Sequence, residues 1–202
     1  MTKGETHLVR IVWLYLVIWL SMFRVRFSFL FALQLLPGQE REVLEVHGKD
    51  FRAMYYIIAW IQIFSIPVFL AGQTTCIFAY DWTVKNGLQE GGAEVGPSLV
   101  QVNRAHGVSD TILYIPLLAS SAYGLFRKKR WSLICTAASG CIHSYWFLTT
   151  AFCFVFLPNV EEYAYKPGLG IWMFVLFYMI YGILVLTFLY RYWGVLFSVM
   201  GN

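Results

Sequence analysis

Charge is scarce in this chain. Asp, Glu, Lys and Arg make up 13% of its 202 residues, about half of the roughly 25% usual in a soluble domain. So little polar surface cannot cover a water-soluble globule of this length, which excludes a soluble enzyme or binding domain. Cysteine is sparse too. Cys76, Cys135, Cys141 and Cys153 all lie in apolar stretches, and no pair is spaced Cys-x-x-Cys. That spacing disfavours zinc-ribbon and thiol-redox chemistry, and a buried cysteine reads as a small hydrophobe. Cys76 and Cys153 fall near corresponding ends of their segments, so a disulfide between them stays open. Basic patches interleaved with aromatics are missing, and nucleic acid is not an expected partner. No segment repeats another, which argues against a transporter built on inverted repeats.

What the chain has is apolar. Hydrophobic residues make up 59% and aromatics 19%, with Tyr and Trp near the ends of apolar runs, as in interfacial belts. The expected class is an all-α integral membrane protein. It has about five transmembrane helices: a four-helix core bundle plus an extra N-terminal helix. A span needs about 20 apolar residues. The first run is Leu8–Phe23, followed by Arg24 and Arg26, which snorkel to the interface. Residues 27–36 continue that helix or lie in the interface. The run is long for a cleaved signal peptide, and no small-residue cleavage site follows it. Gln39–Arg52 is a mixed-charge loop with room for a short surface helix, and its His47 reads as solvated.

The second span runs from Ala53 to Tyr80, interrupted by Pro67 and Gly72. The third is Gly107–Phe126, the fourth Trp131–Phe156 and the fifth Leu169–Tyr190. An apolar tail, Tyr192–Met200, suits the interface. Between the second and third spans lies the longest polar connection, Thr83–Arg104, which reads as a functional loop or as a flexible linker. The chain thus divides into residues 1–53, a helix and cytoplasmic loop, and residues 54–202, a bundle carrying the extracytoplasmic 83–104 loop.

Net charge is +4, and its cations sit in short connections. Arg127, Lys128, Lys129 and Arg130 form a dense juxtamembrane block, which places that turn in the cytoplasm. The 39–52 loop and the C-terminus fall on the same side, and the 83–104 and 158–167 loops on the other.

Chemistry needs polar groups, and few lie within the spans. An ionised carboxylate there costs about 2.5–3.5 kcal/mol even on the lenient insertion scale, so Asp110 stands out. Two readings apply to it: a helix N-cap following Gly107, or a charged site residue. Tyr114, four residues on, shares its face. His143 sits midway along the fourth span and shares a face with Ser139, Trp146, Phe147 and Thr150. It serves as an interhelical hydrogen-bonding group or as an acid–base. Gln73 suits either a polar contact between helices or a ligand. Asp81 and His106 read as solvated. Small residues at four-residue spacing, Ser120 with Gly124 and Ala137 with Cys141, favour close helix approach. Any cavity among these helices would be aromatic-lined, and a carboxylate in it would prefer a ligand ammonium.

Taken together, Asp110…Pro116, Ala122-Tyr123-Gly124, the basic turn, Trp131, His143 and Thr149-Thr150 resemble the EXPERA superfamily. That group includes the emopamil-binding sterol isomerase and the sigma-2 receptor. Ser65-Ile66-Pro67 with Gln73 is similar to that family's first helix, where a His-Ile-Pro run precedes an acid. The resemblance covers roughly residues 54–191 and implies four helices with both ends cytoplasmic. Gln73 stands where the receptor branch has a carboxylate, and the family's Asp-Pro has its nearest counterpart in Gly96-Pro97.

The resulting expectation is an intramembrane pocket for an apolar, sterol-like or cationic amphiphilic molecule, with double-bond isomerisation as its chemistry. Asp110 and His143 are the catalytic candidates. Gln73, Tyr114, Trp146 and Thr150 are the ligand-binding ones. Neither a cofactor nor a metal is called for. The expected partners are the lipid bilayer, the small molecule and a second copy of the chain. The membrane would be the endoplasmic reticulum in a eukaryote or the inner membrane in a bacterium. The alternative is a non-catalytic scaffold or assembly subunit whose polar groups only bond between helices.

Overall fold

The computed structural model describes residues 40–200, with side chains from Phe51 onward, Arg52 excepted. The expected first span, Leu8–Phe23, and the 27–36 segment lie outside the described residues. So does the side chain of His47. From His47 onward the chain forms one compact unit.

The described chain is helical, with no strand among the described residues. Helix α1 spans Glu40–Phe69 and passes into a π-turn, Leu70–Thr74, then a short helix α2, Thr75–Phe78. Helix α3 is Tyr80–Lys85 and α4 is Gly92–Ser109. A second π-turn, Asp110–Tyr114, joins α4 to α5, Ile115–Phe126. Helix α6 is Trp131–Phe156 and α7 is Leu169–Val199. Among the described residues three stretches are long and apolar enough to cross a membrane: Ala53–Phe78, Trp131–Asn159 and Leu169–Val199. The expected third span, 107–126, is helical but is not one of those three.

Several expectations change. The 39–52 loop is helical from Glu40, because its charges alternate with Val, Leu and Phe and nothing breaks the helix. Most of the 83–104 connection is helix as well. It breaks at the 86–91 turn and again at Gly96, at φ +77, which a side chain would strain. Pro97 then starts the helix proper with its fixed φ. The Tyr192–Met200 tail does not leave the helix before it: α7 runs unbroken to Val199.

Each π-turn lies within three residues of a proline. The Ile115 N–H reaches back five residues to the Asp110 carbonyl, just before Pro116. The Thr75 N–H likewise reaches Leu70, eight residues after Pro67. Proline offers no N–H to the ladder, so the helix widens or kinks near it.

Glycines set the tightest approaches. A Cβ on Gly182 would lie 2.5 Å from Ser144 Oγ and 2.8 Å from the Gly140 carbonyl, so α6 and α7 meet backbone to backbone. Gly107 lies against the Gln73 carbonyl and Cys76 Sγ. Gly124 lies against Ser132 and Trp131. The small-residue seam of α6 is Ser132, Thr136, Ser139 and Gly140, all buried. It is offset from the expected Ala137–Cys141 pair, of which Cys141 is exposed. The four cysteines are free thiols.

The basic turn closes α5 in a Schellman pattern: Lys129 N–H bonds to Gly124 O and Lys128 N–H to Leu125 O. Lys128 takes the left-handed position, φ +52, that glycine usually fills. Arg130 Nε–H is shared between the carbonyls of Phe197 and Met200, at 2.8 Å each. That guanidinium caps the end of α7 and also lies 4.6 Å over the Phe197 ring. The other end is tied down by Arg104, whose guanidinium donates to the Ile77 carbonyl. There the Ala164 and Tyr165 N–H groups bond to Glu94 O.

Candidate functional site

Four helical stretches bring polar groups together in an aromatic core. His143 on α6 is fully buried. Its Nδ1 lies 2.9 Å from the Ser139 carbonyl on its own helix. A carbonyl can only accept, so in the neutral ring Nδ1 carries the proton. Nε2 is then the acceptor for the Tyr114 hydroxyl, 2.6 Å away. Tyr178 stacks on the imidazole at 5.1 Å and 5°, and Tyr181 meets it edge-on at 5.1 Å. Phe69 presents an edge to Tyr114 at 5.0 Å.

Around this pair run further interhelical bonds. Gln62 Nε2 donates to Ser139 Oγ at 3.1 Å, and Ser65 Oγ pairs with the Tyr178 hydroxyl at 3.1 Å. Tyr181 donates to the Ile58 carbonyl at 3.1 Å. Nearer the basic turn, Ser121 and Thr136 hydroxyls pair at 2.6 Å. The Tyr55 hydroxyl donates to the Leu125 carbonyl. Buried polar groups among apolar helices are thus mostly satisfied, as the cost of leaving them unpaired requires.

Among the described residues two buried atoms are exceptions: Gln62 Oε1 and Asp110 Oδ2 have no hydrogen-bond partner. Asp110 is 7% exposed. It is not the N-cap that one sequence reading allowed. Helix φ/ψ angles run through Ser109 and Asp110 without a break, and Asp110 opens the π-turn instead.

The candidates divide accordingly. Tyr114 and His143 are directly bonded, and Asp110 lies about a turn before Tyr114 on the same π-turn. Gln73 sits on the facing π-turn, half-buried, and its carbonyl accepts from Cys76 Sγ at 3.0 Å. Trp146 packs edge-on against Phe147 at 4.7 Å. Thr150 spends its hydroxyl on the Trp146 carbonyl within its own helix. Asp81 and His106 are exposed. A crevice between Tyr55, Leu125, Leu133 and Leu196 is apolar and too tight to hold a water molecule.

Gln62, Ser65, Tyr178 and Tyr181 are participants that sequence reasoning did not place at the site. One signal for the first two was available. Gln62, Ser65 and Phe69 recur at i, i+3 and i+7, a single helical face carrying the polar residues of an apolar run.

The two π-turns face each other. Thr74 and Thr111 hydroxyls bridge them at 2.8 Å. Thr111 also donates to the Gly107 carbonyl at 2.7 Å. Outside the apolar stretches, a Tyr and Glu cluster lines one end. Asn103 donates to Glu90 Oε2 at 3.0 Å. Burial, with Glu90 adding to it, pushes the Tyr163 hydroxyl up to about 12. Among the described residues no group of three His, Cys, Asp or Glu side chains is placed to hold a metal ion. Scans against protein-family models, curated proteins and solved structures find no match.

Proposed function

We propose that this chain is a multi-pass integral membrane protein whose bundle binds an apolar, sterol-like or cationic amphiphilic molecule, with Asp110 as its charged anchor. One observation carries the reading: Asp110 is buried and its Oδ2 is unpartnered. An unpaired carboxylate among apolar helices is costly, and intramembrane acids are kept for function as a rule. A ligand ammonium entering from the lipid would supply the missing partner, and the surrounding Tyr and Phe rings suit its cationic head. The resemblance to the EXPERA superfamily points the same way. So does the topology proposed from the cations, with the Arg127–Arg130 turn and the C-terminus cytoplasmic, in the endoplasmic reticulum or a bacterial inner membrane.

The reaction such a group set supports is a double-bond shift. A protonated Asp110 adds its proton to one alkene carbon. That leaves a cationic centre at the other alkene carbon. The Tyr114 oxygen takes a proton from the carbon beyond it, so that the double bond moves over by one, while Tyr114 passes its own proton to His143 Nε2. His143 then acts through Tyr114 rather than on the ligand.

The test is binding of a fluorescent tertiary-amine amphiphile to the purified chain in nanodiscs. Asp110→Asn should weaken it about 30-fold or more, the scale for breaking a buried charge pair. Asp81→Asn, at an exposed position, should leave it unchanged. Equal binding by Asp110→Asn and wild type would reject the reading.

A second reading, a non-catalytic scaffold, is favoured by the enclosure of His143, whose two ring nitrogens are both bonded. It expects Asp110→Asn to alter assembly or folding and no amphiphile to bind.

A further inference from the structure

The paired π-turns carry a feature the amphiphile reading does not use. Each widens its helix at the same level, and the Thr74–Thr111 hydroxyl pair links them. The proton count there is informative. Thr111 gives its one hydroxyl hydrogen to the Gly107 carbonyl, so the hydrogen of the 2.8 Å pair comes from Thr74. No donor is then directed at the Thr74 oxygen, and its lone pairs remain available. Asp110, adjacent to Thr111, adds a buried carboxylate oxygen without a partner. Gly107, one turn earlier on that face, lies against the Gln73 carbonyl and Cys76 Sγ. The acid's side of its helix is therefore turned to the first π-turn. The nearest cation along that helix, Arg104, is committed to the Ile77 carbonyl.

We infer that Asp110 and the Thr74–Thr111 pair form a site for a small monovalent metal cation of sodium type, between the two π-turns. Carboxylate and hydroxyl oxygens are hard ligands suited to hard cations. A single carboxylate neutralises one positive charge. A divalent ion would leave one uncompensated among apolar helices, which selects against it. Interrupted helices that turn oxygen ligands toward one another are a general means of holding such ions within a bilayer. The inference does not depend on an organic ligand. Where the two readings meet, the ion and the ligand ammonium would compete for Asp110.

The experiment is thermal unfolding of the full chain in nanodiscs. It is run in sodium chloride, potassium chloride or N-methylglucamine chloride at equal ionic strength, with sodium-23 line broadening measured on the same samples. Wild type should melt progressively higher as sodium replaces N-methylglucamine, as mass action requires of a bound ion. Asp110→Asn should lose that dependence, and Thr74→Val should shift it to higher sodium. Should Asp110→Asn not fold, Thr74→Val and the sodium-23 signal of wild type decide. Identical melting in all three salts without line broadening overturns the site, as does an undiminished sodium response in Asp110→Asn. A sodium response without amphiphile binding leaves this site standing and removes the ligand reading. Amphiphile binding without a sodium response does the reverse.

Discussion

Tyr114 and His143 share a hydrogen bond where neither has water to fall back on. Tyr114→Phe leaves Nε2 buried and unpaired, a loss of about 1–3 kcal/mol. His143→Phe orphans the tyrosine hydroxyl in the same way, whereas the Ser139 carbonyl keeps its bond in the helix ladder. The double variant removes both partners and should recover part of the loss. Chemical denaturation of the four proteins in mixed micelles measures this, with a coupling of about 0.6–1.7 kcal/mol expected between helices. Strict additivity of the two losses would show that the bond contributes nothing. Asp110 and His143 could be singled out from sequence because a charged or imidazole side chain inside an apolar run is conspicuous. Their neighbours on α7 could not. Tyr178 and Tyr181 are ordinary residues of a membrane-type helix, and only packing selects them from many others. The cap reading of Asp110 failed for a related reason: nothing in Gly107-Val108-Ser109 announces that the helix has already been running since Pro97.

Among elements, the most extensive contact is that of α6 with α7. A methyl group added at Gly182 would press on Ser144 and the Gly140 carbonyl, and a helix backbone cannot yield locally. Gly182→Ala should therefore cost about 1–3 kcal/mol, the usual range for overpacking. Gly194→Ala, with nothing within 4 Å of the new carbon, should be neutral or slightly stabilising. Their melting temperatures measured side by side test the seam, and equal effects would refute it. Apolar length located the helices of the bundle well, because a long run of Leu, Phe and Val has few alternatives. It failed in the connections. Residues 40–52 and 92–104 mix charge with Val and Leu at helical spacing, and polarity alone read them as loops.

For the molecule as a whole, the proposed orientation rests on the four cations between α5 and α6. Cysteines introduced at Asn86 and Lys128, both exposed, report it in a background lacking the native thiols. In intact cells a membrane-impermeant maleimide should label Asn86→Cys and spare Lys128→Cys. In inverted vesicles the pattern should reverse, and the opposite result would invert the topology.

Arg130 reaches forward to carbonyls at Phe197 and Met200, some seventy residues later in synthesis. A ribosome adds about 5–20 residues per second, so α5 and α6 wait several seconds, already paired, before their clasp exists. During that interval the Gly140 face of α6 is open to whatever else the membrane holds. The nascent chain is therefore vulnerable longest at the very seam that is most extensive once it is finished.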